Sequence, residues 1–236
     1  MIRRFVPVLC LSAALASLSS WVPGQASNVT PTSGEVVTSA QDSTDTPYGP
    51  IGKWMVDADG QPAHWLDYQL GDRALREPIN VVLIDRLART PQEALSRLLS
   101  ATKAAGYPAR TGHSTGYQGL IGAQLYAQQP GGSGEAFSDD AWWRSNNHGR
   151  LFGPAPLDGG GFVWTGALSR EDFEVISVMH HPYASFKAAR DDFGDRMSAA
   201  GNFKRLGTLD LGNALNTPSL TTDDHDGKAV VLMAAK

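Results

Sequence analysis

The sequence predicts an α+β fold: a ferredoxin-like βαββαβ sandwich with insertions, in which a mostly antiparallel sheet carries two helices on one face. Three observations lead there. Ile79-Asn80-Val81-Val82-Leu83-Ile84 is a short β-branched apolar run suited to a buried strand, and a well-capped helix signal follows it. Phe162–Leu168 and Phe173–Met179 are two further apolar runs joined by the polar turn Ser169–Asp172, the pattern of an antiparallel pair. A second amphipathic stretch and a last apolar run, Lys228–Ala234, complete the alternation of strands with two helices.

Taken in order, the chain opens with Arg3 and Arg4, an apolar run from Phe5 to Leu18, and small residues leading to Gly24-Gln25-Ala26. This is the pattern of a cleavable secretory signal over residues 1–26, and it predicts a secreted or periplasmic protein. The one cysteine, Cys10, lies inside that segment, so the mature chain is expected to fold without disulfides. Residues 27–50 are rich in Ser, Thr, Gly, Pro and Asp and read as a flexible linker. Over 51–75 a hairpin extension is expected, because Lys53–Val56 and Ala63–Leu66 flank the turn signal Asp57-Ala58-Asp59-Gly60. A single α+β domain then fills 76–236.

Within that domain, Thr90-Pro91-Gln92-Glu93 supplies a capping hydroxyl, a first-turn proline and a glutamate three residues after the cap. Ala94, Leu95, Leu98, Leu99 and Thr102 continue one helical face until Gly106 ends it. Leu120–Ala127 reads as a strand, with a Gly/Ser loop at Gly131–Gly134. The second helix is marked by Phe186, Ala189, Phe193 and Met197 at helical spacing, with Gly201 as its stop. The turn Asp223–Gly227 sets off the final strand.

The formal charge is −4 and becomes more negative once Arg3 and Arg4 are removed, which argues against a nucleic-acid partner. No segment after the signal approaches the roughly 18 unbroken apolar residues that a membrane-spanning helix needs, so no span is expected in the mature protein.

Two places concentrate polar groups: Trp142–Arg150 and His180-His181-Pro182. In an extended segment His148 and Arg150 leave the same face, one able to exchange protons near neutrality and the other offering a fixed cationic fork. That pair suits a phosphate or carboxylate. The structural alternative pairs Arg150 with an acid such as Asp191 and lets His148 bond a loop carbonyl. His180 and His181 point to opposite sides of an extended segment, so a metal would draw its other ligands from His148, His113, Asp191 or Asp192, a set suited to zinc. Gly112-His113-Ser114-Thr115-Gly116 fits the Gly-x-Ser-x-Gly spacing without the strand-elbow-helix context that makes such a serine a nucleophile. Trp142, Trp143 and Trp164 are candidates to line a groove or to pack.

In their order, Arg76–Leu83, Ala104-Ala105-Gly106-Tyr107, His148-Gly149-Arg150-Leu151-Phe152, Val163–Ala167 and His180 to Asp191 resemble the LssY C-terminal domain family, over roughly residues 76–200. The resemblance implies an exported or envelope-associated domain acting near phosphorylated lipid or glycan, without implying catalysis. It points to His148, Arg150, His181 and Arg190 as the binding positions. The expected ligand is accordingly a small anion, a lipid or a glycan, and the alternative is a metal-assisted hydrolase using His148 and His181. The sequence assigns no catalytic residue, cofactor or resident metal.

Overall fold

The computed structural model of the chain describes residues 42–173 and 182–236. The expected signal segment, the first part of the linker, nearly all of the expected Phe173–Met179 strand, and His180 and His181 lie outside those residues.

Pairing begins inside the stretch expected as linker, where β1 (Ser43–Thr46) and β2 (Gly49–Val56) form an antiparallel hairpin. β3 (His64–Leu70) and β4 (Arg73–Arg76) make a second one, and β5 (Val81–Asp85) is the buried strand expected after it. α1 (Pro91–Ala104) starts at the expected proline. The Thr90 hydroxyl accepts the Glu93 N–H at 3.1 Å, the Glu93 carboxylate accepts the Arg89 N–H at 2.9 Å, and Gly106 leaves the helix at φ +82°.

β6 (Ala109–Thr111) precedes β7 (Gln118–Ile121) and β8 (Gln124–Gln129). The single strand expected over Leu120–Ala127 is thus a tight hairpin, turning at Gly122 with φ +63°. β9 (Glu135–Ser138) is followed by β10 (Asn146–Pro156) and β11 (Phe162–Glu171), the longest strands among the described residues. β12 (Tyr183–Ser185), α2 (Phe186–Ala199), β13 (Phe203–Asp210), β14 (Leu220–Thr221) and β15 (Lys228–Ala234) complete the chain.

The ferredoxin-like expectation is overturned. Among the described residues the protein is mostly β, with 47% strand against 15% helix, and its main sheet runs β1-β2-β7-β8-β10-β11-β5-β15-β13 as a curled half-barrel of nine strands. The physical reason lies in the alternation along β5. Val81 and Leu83 face the two helices, packing in a core with Leu95, Leu98, Trp164, Phe193 and Met197. Val82 and Ile84 face the other way, into a second core with Ile51, Met55, Tyr126 and Phe152. A ferredoxin-like sheet has helices on one face only, whereas here the second face is covered by β2, β7 and β8 rolling over it. The run that reads as one buried strand is therefore buried twice, and strands from the expected linker and hairpin extension help to close the fold. The last strand departs as well: β15 lies beside β5 in parallel register, with β13 outside it, where a ferredoxin-like chain ends on an antiparallel partner.

Close strand packing keeps the roll tight. A Cβ on Gly119 of β7 would stand 2.6 Å from the Phe152 ring of β10, so only glycine lets these strands approach. Register shifts between Phe152 and Ala155, and between Ile51 and Met55, add the local bends that curl a sheet.

A small sheet, β14-β4-β3, sits at one end of the half-barrel. Leu75 of β4 packs with Tyr183 and Phe186, and Trp65 and Tyr68 of β3 lie against them, which ties this flap to the start of α2. Burying each such large side chain contributes about 1.5–3 kcal/mol. The flap carries Trp65 and Glu77 over the first residues of β10.

Candidate functional site

Three side chains of β10 alternate onto one face: Asn146, His148 and Arg150. Asn146 lies opposite Glu171 of β11 in an antiparallel register, so Glu171 projects on that face too. The loop after β6 supplies Ser114, and the flap supplies Trp65 and Glu77. Trp65, Glu77, Ser114, His148, Arg150 and Glu171 line a cavity of about 70 Å³. That volume has room for a few waters or one small polyatomic group.

Arg150 is 4% exposed. Its Nε and Nη2 donate to the Ser114 carbonyl at 3.2 and 2.8 Å, Nη2 donates to the Ser114 hydroxyl at 3.0 Å, and its Cζ lies 4.8 Å over the Tyr117 ring. The Tyr117 hydroxyl donates to the same Ser114 oxygen at 3.2 Å. Every one of these partners is neutral. Among the described residues Arg150 makes no ion pair with a carboxylate, and Asp191, the acid considered for it, pairs instead with Lys187, Arg190 and Arg205.

His148 is held from several sides. Its Nδ1 is 3.1 Å from the Asn146 Oδ1, its ring stacks on His113 at 4.7 Å, and Trp65 stands 5.8 Å away. Asn146 donates its amide N–H to the Arg144 carbonyl at 2.9 Å, which turns its Oδ1 to His148 and makes Nδ1 the donor. The Nε2 is then directed at Glu171, whose Oε1 lies 3.8 Å away. That separation is an ion-pair contact when the imidazole is charged.

The two glutamates set the electrostatics. Burial pushes the Glu77 carboxyl up to about 7, against the downward pull of Arg150. Burial also pushes Glu171 to about 7; Asn146 and Arg150 oppose that rise, and the neighbouring Glu77 adds to it. Near neutrality both therefore carry a proton part of the time, and a protonated carboxyl is a hydrogen-bond donor. The cavity combines one fixed cation with two acids whose charge depends on pH, an arrangement typical of functional sites.

Of the residues expected to bind, His148 and Arg150 come together here. Arg190 does not: it is on α2, 2% exposed, and its guanidinium donates to Asp226, Asp191 and the Lys228 carbonyl. His181 lies outside the described residues. Among the described residues no three His, Cys, Asp or Glu side chains gather as a metal site. Ser114 acts as a clamp for Arg150, while Trp164 is fully buried in the helix-side core. A larger cleft of about 320 Å³ opens near the far end of β10, but its cation, Arg86, is exposed and donates to the Asp158 and Gly160 carbonyls of the wall.

Sequence reading passed over Glu77, Glu171, Trp65 and Asn146. Glu77 precedes the Ile79–Ile84 run by two residues and Glu171 closes the strand that begins with the Phe162–Leu168 run, and an acid close to the end of a continuous apolar run is the signal that marks them. Compared with family profiles, curated proteins and solved structures, the chain matches none. The resemblance to LssY C-terminal domains accordingly rests on residue order alone.

Proposed function

We propose that this is an exported ligand-binding protein whose pocket takes a small anionic group, a phosphate or a carboxylate, against Arg150 and His148. One observation carries the reading: a guanidinium buried to 4% exposure lines a cavity and, among the described residues, has only neutral partners besides acids that hold protons near neutrality. A buried charge is costly unless compensated, and an incoming anion is the compensation this geometry accommodates. Planar bidentate donation to oxyanions is the chemistry arginine serves best. Support for export comes from the N-terminal segment, where Arg3 and Arg4 precede an apolar run and small residues.

Isothermal titration calorimetry at pH 6 with inorganic phosphate and with acetate tests this. Saturable binding of either, lost in Arg150→Met protein that keeps its thermal transition, is the expected result. No heat with either anion, or undiminished binding by Arg150→Met, overturns it.

A further inference from the structure

Among the described residues five large hydrophobic side chains stand out as exposed, and three of them, Trp142 at 41%, Trp143 at 55% and Phe173 at 39%, are tied to segments that wall this pocket. Phe173 is two residues beyond Glu171, and its N–H donates to the Ser145 hydroxyl at 2.8 Å, beside Asn146. Trp142 covers Gly112, where a Cβ would stand 2.2 Å from the indole, and two residues on is Ser114, the clamp of Arg150. Single exposed hydrophobics are ordinary on a protein surface, but aromatics tied in this way to the segments that wall a polar cavity offer an apolar surface to the rest of a ligand.

From this arrangement, and resting on the anion-pocket reading above, we infer that the protein binds an anionic amphiphile, with its head group at Arg150 and its apolar chain laid over Trp142, Trp143 and Phe173. The cavity, about 70 Å³, takes little more than the head, so the rest of the molecule must leave across the rim. The rim favours a flexible chain over a sugar ring. Trp142 and Trp143 meet at 89° with centroids 5.7 Å apart, which forms an apolar corner and no flat stacking platform. Among the described residues the carboxylates beside them already have partners, Asp140 with Arg144 and the Ala141 N–H, and Asp139 with Asn147 and Arg196. An alkyl chain needs no such partners.

The experiment compares inorganic phosphate, dodecyl phosphate and dodecyl maltoside, each below its micelle concentration, by calorimetry and tryptophan fluorescence on the protein and on its Trp143→Ser and Phe173→Ser variants. Dodecyl phosphate should bind at least about ten-fold more tightly than inorganic phosphate, since a few buried methylenes supply that factor. Both rim variants should lose this advantage while keeping their affinity for inorganic phosphate. Equal affinity for the two phosphates overturns the amphiphile and leaves the anion pocket standing. Equal affinity for the maltoside also overturns it, because the rim then acts without the pocket. Failure of both phosphates removes the pocket reading and this inference together.

Discussion

Ser114 holds Arg150 twice, through its carbonyl oxygen at 2.8 Å and its hydroxyl at 3.0 Å, and so fixes the direction of a guanidinium that has no carboxylate ion pair among the described residues. The two contacts separate by mutation. Ser114→Ala keeps the carbonyl and removes the hydroxyl, at a cost of about 1 kcal/mol in positioning, or roughly five-fold in anion affinity. Arg150→Met removes the charge itself. Its thermal midpoint should stay close to that of the parent, because removing the desolvation cost of a buried charge offsets the donor that the Ser114 oxygens lose. Paired calorimetry and thermal unfolding of the two variants check this: affinity falls in both, and stability does not fall in Arg150→Met.

Glu77 predicts a pH dependence of the opposite sense to ordinary acid unfolding. Its folded-state value, about 7, lies above the unfolded value, so the folded protein binds more protons between the two. The stabilisation is fully present below the unfolded carboxylate value and is lost as pH rises toward about 7. Over that window the loss is on the order of 3 kcal/mol for a group this buried. Glu77→Gln mimics the protonated acid and should flatten the decline between pH 4.5 and 7 in thermal unfolding followed by circular dichroism. An unchanged slope would place the proton elsewhere.

Legibility in the sequence divides along a physical line. α1 announces itself, since Thr90, Pro91, Glu93 and Gly106 are local signals and its cap forms as the local chemistry dictates, and α2 follows the helical spacing of Phe186, Ala189, Phe193 and Met197. The roll of the sheet does not. Whether Val82 and Ile84 meet solvent or a second core depends on strands contributed by residues 43–56 and 118–129, far away in the chain, and no local pattern records that pairing. The site shows the same split. The two-residue spacing of His148 and Arg150 places them on one face, and β10 bears that geometry out. Glu77 and Glu171 join them only because the flap folds over the sheet and β11 pairs in one particular register. Arg190 is named by the family resemblance alone, and the fold separates it from Arg150: it is ion-paired with Asp191 and Asp226, whereas Arg150 donates to the neutral Ser114 oxygens.

Arg190 itself should behave as a structural residue. It clamps α2 to the approach to β15 through Asp226 and the Lys228 carbonyl, while Asp191 of the same helix accepts from its Nε. Burial works against ionisation of Asp226, but hydrogen bonds and charge from Arg190 outweigh it and hold that carboxyl below its ordinary range. A depressed carboxylate stabilises above its unfolded value, and the contribution is lost as pH falls through the folded one. Arg190→Ala removes a buried guanidinium but leaves carboxylates that are about a third exposed and can be hydrated, so it should cost about 1.5–3 kcal/mol. Chemical denaturation at pH 7 measures the loss, and phosphate affinity, read on the fraction that remains folded, should be unchanged.

Asn80 offers the sharpest separation between hydrogen bonding and packing. Fully buried just before β5, it donates from Nδ2 to the Leu168 carbonyl at 2.8 Å and accepts the Leu168 N–H on Oδ1 at 3.0 Å, extending the β5–β11 ladder past its last paired residues. Its own N–H and carbonyl are taken by Gly166 and Val230. Asn80→Ala leaves both Leu168 groups unsatisfied in the interior and should cost about 2–4 kcal/mol. Asn80→Asp keeps the acceptor for the Leu168 N–H but sets a carboxylate against the Leu168 carbonyl, where only a protonated acid can donate. Its stability should therefore be lowest at neutral pH and recover toward that of the parent as the pH falls and the new carboxyl takes up its proton. Denaturation midpoints of both variants at pH 5 and pH 8 decide the matter: if Asn80→Asp responds to pH no differently from Asn80→Ala, the donor contact to Leu168 is not what holds these strands together.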